Sequence, residues 1–214
     1  MIFSRFLFPL LVLSLCACNS IRTRSRPPSV SLAGVKYSEE RLRASDLRFF
    51  SAPYPKPAGT PTTILTIADH DLRGFIRVRK ARNAEDTEFV PMAVNAVAYL
   101  VARKAHKHYS WGDAQSCLAQ FTNEAYGRAP NQEELTYQAA GMTTDGRYSV
   151  FCSFDIAHPD LPTSSLTAKS YRGDDLDQLQ SHPHMRLIER APDRDFRPSI
   201  TRIDEIIGRL VINE

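Results

Sequence analysis

Asp113-Ala114-Gln115-Ser116-Cys117-Leu118-Ala119-Gln120-Phe121-Thr122-Asn123-Glu124-Ala125-Tyr126-Gly127 is the stretch on which the fold class turns. Ala114, Cys117, Leu118, Phe121 and Ala125 recur at i, i+3, i+4, i+7 and i+11, the spacing that stacks side chains on one face of a helix. Asp113 stands where an N-cap belongs and Gly127 where a helix stops, so the pattern predicts a helix over 113–127. Upstream, Phe89, Met92, Ala93, Ala96, Val97, Leu100 and Val101 form a wide apolar arc, with Asn95, Arg103 and Lys107 as its polar strip. This predicts a long central helix from Phe89 to His108, its start blurred by Pro91. Downstream, Asn131 and Glu134 have capping-box spacing for a third helix that stops at Gly141.

Strand patterns surround these helices. Thr63–Ile67 and Phe75–Arg79 are β-branched runs separated by a turn-forming segment, which reads as a hairpin. After the Asp145-Gly146 turn signal, Tyr148, Val150, Cys152, Phe154 and Ile156 alternate with Arg147, Ser149, Ser153 and Asp155, the clearest strand in the chain. Met185–Glu189 reads as a further strand, and Ser199 caps a last helix carrying Ile200, Ile203, Ile206, Ile207 and Leu210. From His158 to His184 the chain is polar and irregular, a length usual for a functional or loosely ordered loop. The expected class is therefore α+β: a small, mostly antiparallel sheet packed against several helices in a single domain over 63–214.

The other end of the chain carries an address. Met1-Ile2-Phe3-Ser4-Arg5 precedes an apolar run from Phe6 to Leu15, then Cys16-Ala17-Cys18. A short positive start and an apolar run of about 10 residues describe a secretion signal, since a spanning helix needs about 20. Leu15-Cys16-Ala17-Cys18 resembles the lipobox of bacterial lipoproteins. The resemblance implies that residues 1–17 are removed, and that Cys18 takes a thioether-linked diacylglycerol and is acylated on its new amine, palmitate being a typical chain. Asn19, in place of an Asp after the lipidated Cys, implies outer-membrane sorting in a double-membraned host. The expected location is thus the cell envelope, lipid-anchored and facing the periplasm.

Residues 18–62 read as a lipidated tether and linker. Arg22, Arg24 and Arg26 lie behind the anchor, Ser38 to Phe50 reads as a short helix, and Pro53, Pro55, Pro57 and Pro61 stiffen the remainder. With 27 Lys and Arg against 24 Asp and Glu, the formal charge is only +3, and no basic helix or stripe points to nucleic acid. The expected partners are the membrane, through the lipid, and an envelope protein or peptidoglycan.

Four cysteines are present, and Cys16 and Cys18 belong to the signal and anchor. Cys117 and Cys152 remain, both on apolar faces in the readings above, and in an exported domain such a pair is first read as a disulfide. A second reading starts from Tyr109-Ser110-Trp111-Gly112 ahead of Cys117, with Tyr126-Gly127 closing the segment. This stretch resembles the nucleophile region of NlpC/P60 cell-wall peptidases, which implies a papain-like fold, Cys117 as nucleophile and a histidine base, for which His184 is the candidate. A Cys in the first turn of a helix has its thiolate stabilised by the helix dipole, so the chemistry is coherent. Ser116, Leu118 and Ala119 depart from the family's Asp-Cys-Ser-Gly, and its His-led strand has no counterpart. The two readings exclude each other. An accessory, partner-binding lipoprotein is the leading expectation and a peptidoglycan hydrolase the alternative. His106-Lys107-His108 and His182-Pro183-His184 are spaced for metal only if extended, and no carboxylate or Cys is spaced to complete a site, so neither a metal nor a cofactor is expected.

Overall fold

Tyr148–Ile156 is extended as its alternation requires, and it sits near the middle of a sheet far larger than expected. The structure is a computed structural model that describes residues 26–43, 60–81, 99–121, 126–164, 166–172 and 176–213. Strands run over Ser29–Leu32 (β1), Tyr37–Leu42 (β2), Thr62–Asp69 (β3), Leu72–Lys80 (β4), Tyr99–Tyr109 (β5) and Gly112–Phe121 (β6). They continue with Tyr126–Arg128 (β7), Leu135–Thr143 (β8), Tyr148–Asp155 (β9), Ser170–Arg172 (β10) and Leu210–Asn213 (β11). Helices occupy Leu176–Gln180 (α1), Pro183–Arg190 (α2) and Ile200–Gly208 (α3). Seven strands form one antiparallel sheet in the order β2-β3-β4-β9-β8-β6-β5, and β1–β11 and β7–β10 form two small ribbons. The expected α+β class is therefore corrected to a mostly-β one.

The corrections share a cause: apolar spacing alone does not separate a one-sided helix from a strand buried on both faces. In β6, Ser116, Cys117, Leu118, Ala119 and Gln120 are all at most 3% exposed, so no polar stripe exists for a helix to turn toward water. The buried polar members are satisfied locally. The Gln120 side chain donates to the Ala129 carbonyl at 3.2 Å and accepts from the Asn131 amide at 3.0 Å. Residues 99–108 of the expected long helix are β5, and 89–98 lie outside the described residues.

The Asn131–Glu134 box forms as a turn instead of a helix start. Asn131 Oδ1 accepts from the amides of Glu133 and Glu134 at 3.1 and 3.0 Å, and its Nδ2 donates to Glu134 Oε2 at 2.9 Å. The chain then extends into β8, paired on one side with β6 and on the other with β9. Gly141 permits that pairing, because a Cβ there would lie 2.0 Å from the Asp113 carbonyl oxygen. Two-sided pairing outweighs the helix preference of the sequence, as tertiary context commonly does.

The expected linker helix from Ser38 is also corrected. Residues 37–42 are edge strand β2 on β3, and 29–32 pair with β11, so residues ahead of Thr63 contribute strands to the fold. Residues 1–25 and 44–59 lie outside the described residues. Met185–Glu189 is helical, within α2, where Pro183 occupies the first turn and Met185 and Ile188 face inward. The β3–β4 hairpin forms as read, and α3 starts at Ser199, whose Oγ accepts from the Arg202 amide at 3.3 Å.

Register assigns the faces. Cross-strand neighbours Ile76, Cys152, Ala139 and Ser116 point to one side, and Phe75, Ser153, Gln138 and Cys117 to the other. The first side packs against the helices: Leu65, Ile76, Leu118, Val150 and Phe154 meet Ile188, Phe196, Ile203 and Ile207 in one core cluster. Each such side chain contributes about 1.5–3 kcal/mol by leaving water.

Candidate functional site

The β5–β6 hairpin, residues 106–113, carries clustered polar side chains on both of its faces. Its loop is Ser110-Trp111, and Gly112 follows at φ 155° where a Cβ would lie 2.0 Å from the Met142 carbonyl oxygen. The Tyr-x-Trp-Gly segment thus makes a tight hairpin turn pressed against β8. It does not lead into a helix.

On the inner face this turn holds α3. Trp111 Nε1 donates to the Ile207 carbonyl at 3.0 Å and Ser110 Oγ to the Gly208 carbonyl at 2.5 Å. These are last-turn carbonyls that a helix cannot satisfy by itself. Asp204 of α3 then accepts from three donors: Lys107 Nζ at 2.7 Å, Tyr109 OH at 2.7 Å and Tyr137 OH at 2.5 Å. Burial pushes both tyrosines well above the ordinary phenol range, the Tyr137 phenol and Asp204 adding to it at Tyr109 and Asp204 at Tyr137, so they stay protonated donors. Tyr109 and Trp111 stack with centroids 5.2 Å apart. The cluster is a clamp of hydrogen bonds closed upon itself.

On the outer face, His106 and His108 stand at alternate positions of β5 and Asp113 lies directly across from His108 on β6. All three are exposed, and one ligand atom from each lies within 4.8 Å of the others. His106 Nδ1 is 3.3 Å from the Ala114 carbonyl oxygen, His108 Nδ1 touches Asp113 Oδ1, and the two rings lie 4.9 Å apart. His-x-His shares a face on a strand, as its spacing implies. The carboxylate is not legible in the sequence, because Asp113 is placed by hairpin register and not by helical spacing.

The two cysteines are not brought together. Cys117 and Cys152 project from opposite faces, on strands separated by β8, and neither is in a disulfide. Two inter-strand steps amount to about 10 Å, beyond the Cα separation a disulfide tolerates. The disulfide expectation is corrected on that ground. Burial drives the Cys152 thiol far above its ordinary range, with the Asp204 charge adding to it.

The cysteine–histidine pair of the hydrolase reading is not assembled either. Cys117 is mid-strand, opposite a bulge in which Arg103 and Lys104 of β5 face one residue of β6. There is no helix N-terminus to stabilise its thiolate. His184 lies in the first turn of α2, on the helix side of the sheet, with its ring 4.7 Å from that of His182. The bulge has another use, since Arg103, at φ 52°, reaches Asp193 at 2.5 Å and fixes the segment after α2. Cys18 lies outside the described residues.

One open groove, about 480 Å³, runs beside α2 and is lined by His158, Arg186, Arg190 and Asp195 among others. His158 Nδ1 accepts from the Asp160 amide at 3.2 Å, and its buried Nε2 has no hydrogen-bond partner among the described residues. No protein-family model, curated protein or solved structure matches the chain.

Proposed function

We propose that the chain is an envelope lipoprotein anchored through Cys18, acting as an accessory binding module beside the membrane. The observation that carries this reading is Leu15-Cys16-Ala17-Cys18 at the end of a short apolar run. No helix among the described residues is long and apolar enough to cross a membrane. Ten residues lie between Cys18 and Ser29, where β1 starts, so eleven Cα–Cα steps join the two. At about 3.5 Å per extended residue that tether reaches about 40 Å, so the sheet works close to the headgroups. A binding role draws support from the sheet face turned away from the helices. There Phe75 and Phe151 pack with centroids 5.8 Å apart and Arg77 lies 5.2 Å above Phe151. Aromatic and arginine side chains of this kind are enriched in protein interfaces, and we assign an envelope protein as the partner.

The test is palmitate labelling with membrane fractionation. Wild-type protein is expected to incorporate label and sediment with membranes, and Cys18→Ala to do neither; a labelled Cys18→Ala variant overturns the assignment. Purified protein is also expected to release no soluble peptide from peptidoglycan. Release that Cys117→Ser abolishes would replace the binding role with the hydrolase one.

A further inference from the structure

We infer that the outer face of the β5–β6 hairpin is a binding site for a divalent transition-metal ion, held by His106, His108 and Asp113. The donor set is two imidazoles and a carboxylate, the chemistry that suits zinc, copper and nickel and not magnesium or calcium. Donors at about 2.1 Å from a tetrahedral ion lie about 3.4 Å apart. In the structure the three ligand atoms already fall within 4.8 Å of one another, and all three side chains are exposed, so small rotamer shifts complete the site.

The backbone supplies the preorganisation. Alternation puts both imidazoles on one face, and the Tyr109–Gly112 pairing that closes the hairpin sets Asp113 across from His108. A proton on His106 Nδ1 is directed at the Ala114 carbonyl 3.3 Å away, which leaves Nε2 as the metal-facing atom. Orientation of a ligating imidazole by a carbonyl on its other nitrogen is the usual arrangement in metal sites. Asp113 touches His108, and binding exchanges that contact for two metal bonds. Three protein ligands leave the remaining positions to water, so the site binds metal from the surrounding solution without burying it.

The experiment is a titration of the full-length mature protein, purified without a histidine tag and stripped with chelator, using Zn2+ by calorimetry and Cu2+ by electron paramagnetic resonance. One equivalent of Zn2+ is expected to bind. His106→Ala, His108→Ala and Asp113→Asn are each expected to weaken it at least tenfold, and His70→Ala to leave it unchanged. Mg2+ and Ca2+ are expected to give no heat. The Cu2+ spectrum is expected to show two nitrogen ligands, falling to one in either histidine variant. Because all three positions are exposed, far-ultraviolet circular dichroism of the variants is expected to match the wild type. No saturable Zn2+ binding up to millimolar concentration overturns the assignment, as does binding that survives the triple variant.

Discussion

Cys152 points from β9 into the helix-covered core and is fully buried, while Cys117 points from β6 to the opposite side and is 1% exposed. Both are expected to resist iodoacetamide in the native protein at pH 7–8, because the reagent meets neither surface nor a stabilised thiolate. Unfolding without reductant is expected to expose both to labelling, and adding reductant to change nothing. A two-dalton mass gain on reduction of the purified chain would instead reveal a bond between them. The burial of each cysteine was legible from apolar spacing, and strand alternation gave the face of Cys152, but not that of Cys117. In a strand a single step of register moves a side chain to the other side, and the helical reading of 113–127 carried no register. The same loss hid Asp113 from its histidine neighbours, although His106 and His108 themselves were legible as a pair.

At the level of elements, α3 depends on the hairpin that receives it. Trp111→Phe keeps the stacked ring and removes the Nε1 donor, leaving the Ile207 carbonyl with only the Arg209 amide; about 1 kcal/mol of stability is expected to be lost in urea unfolding. Asp204→Ala strands Lys107, Tyr109 and Tyr137 together, and about 2–3 kcal/mol is expected, moderated by the partial exposure of Lys107 and Asp204. At the start of α2, His182 Nδ1 accepts from the His184 amide at 3.2 Å, which requires an unprotonated Nδ1. Burial, then the His184 and Lys169 charges, lowers the proton affinity of His182 in the folded chain. A depressed histidine gives stability that is present above the unfolded value, about 6.5, and lost as pH falls toward the folded one. Hydrogen-exchange protection of the His184 amide is therefore expected to decline on acidification below pH 6.5. Protection that is unchanged down to pH 5 would mean that the ring does not cap α2. The caps were readable from sequence wherever one side chain decides them: Ser199 starts α3, and Asn131 binds the Glu134 amide that its capping-box spacing implies. What followed each cap was not readable, since long-range pairing partners decide between helix and strand for 99–109, 113–121 and 135–143.

At the scale of the whole molecule, strands far apart in the chain, β1 and β11, are paired. Val30 lies opposite Ile212 and Leu32 opposite Leu210, with Val30, Leu32 and Leu210 buried. Deleting residues 210–214 removes one buried leucine and uncovers two apolar side chains on β1, at about 1.5–3 kcal/mol for each one fully exposed. With about 2–4 °C per kcal/mol for a chain of this size, the melting temperature is expected to fall by at least about 5 °C. A truncated protein that melts like the intact one would show that the β1–β11 ribbon is dispensable. The ribbon also sets an order in time. Among the described strands β11 lies farthest along the chain, so during synthesis β1 has no partner until β11 has been made. A chain interrupted before β11 is left with β1 as an open strand, a template on which other chains can pair.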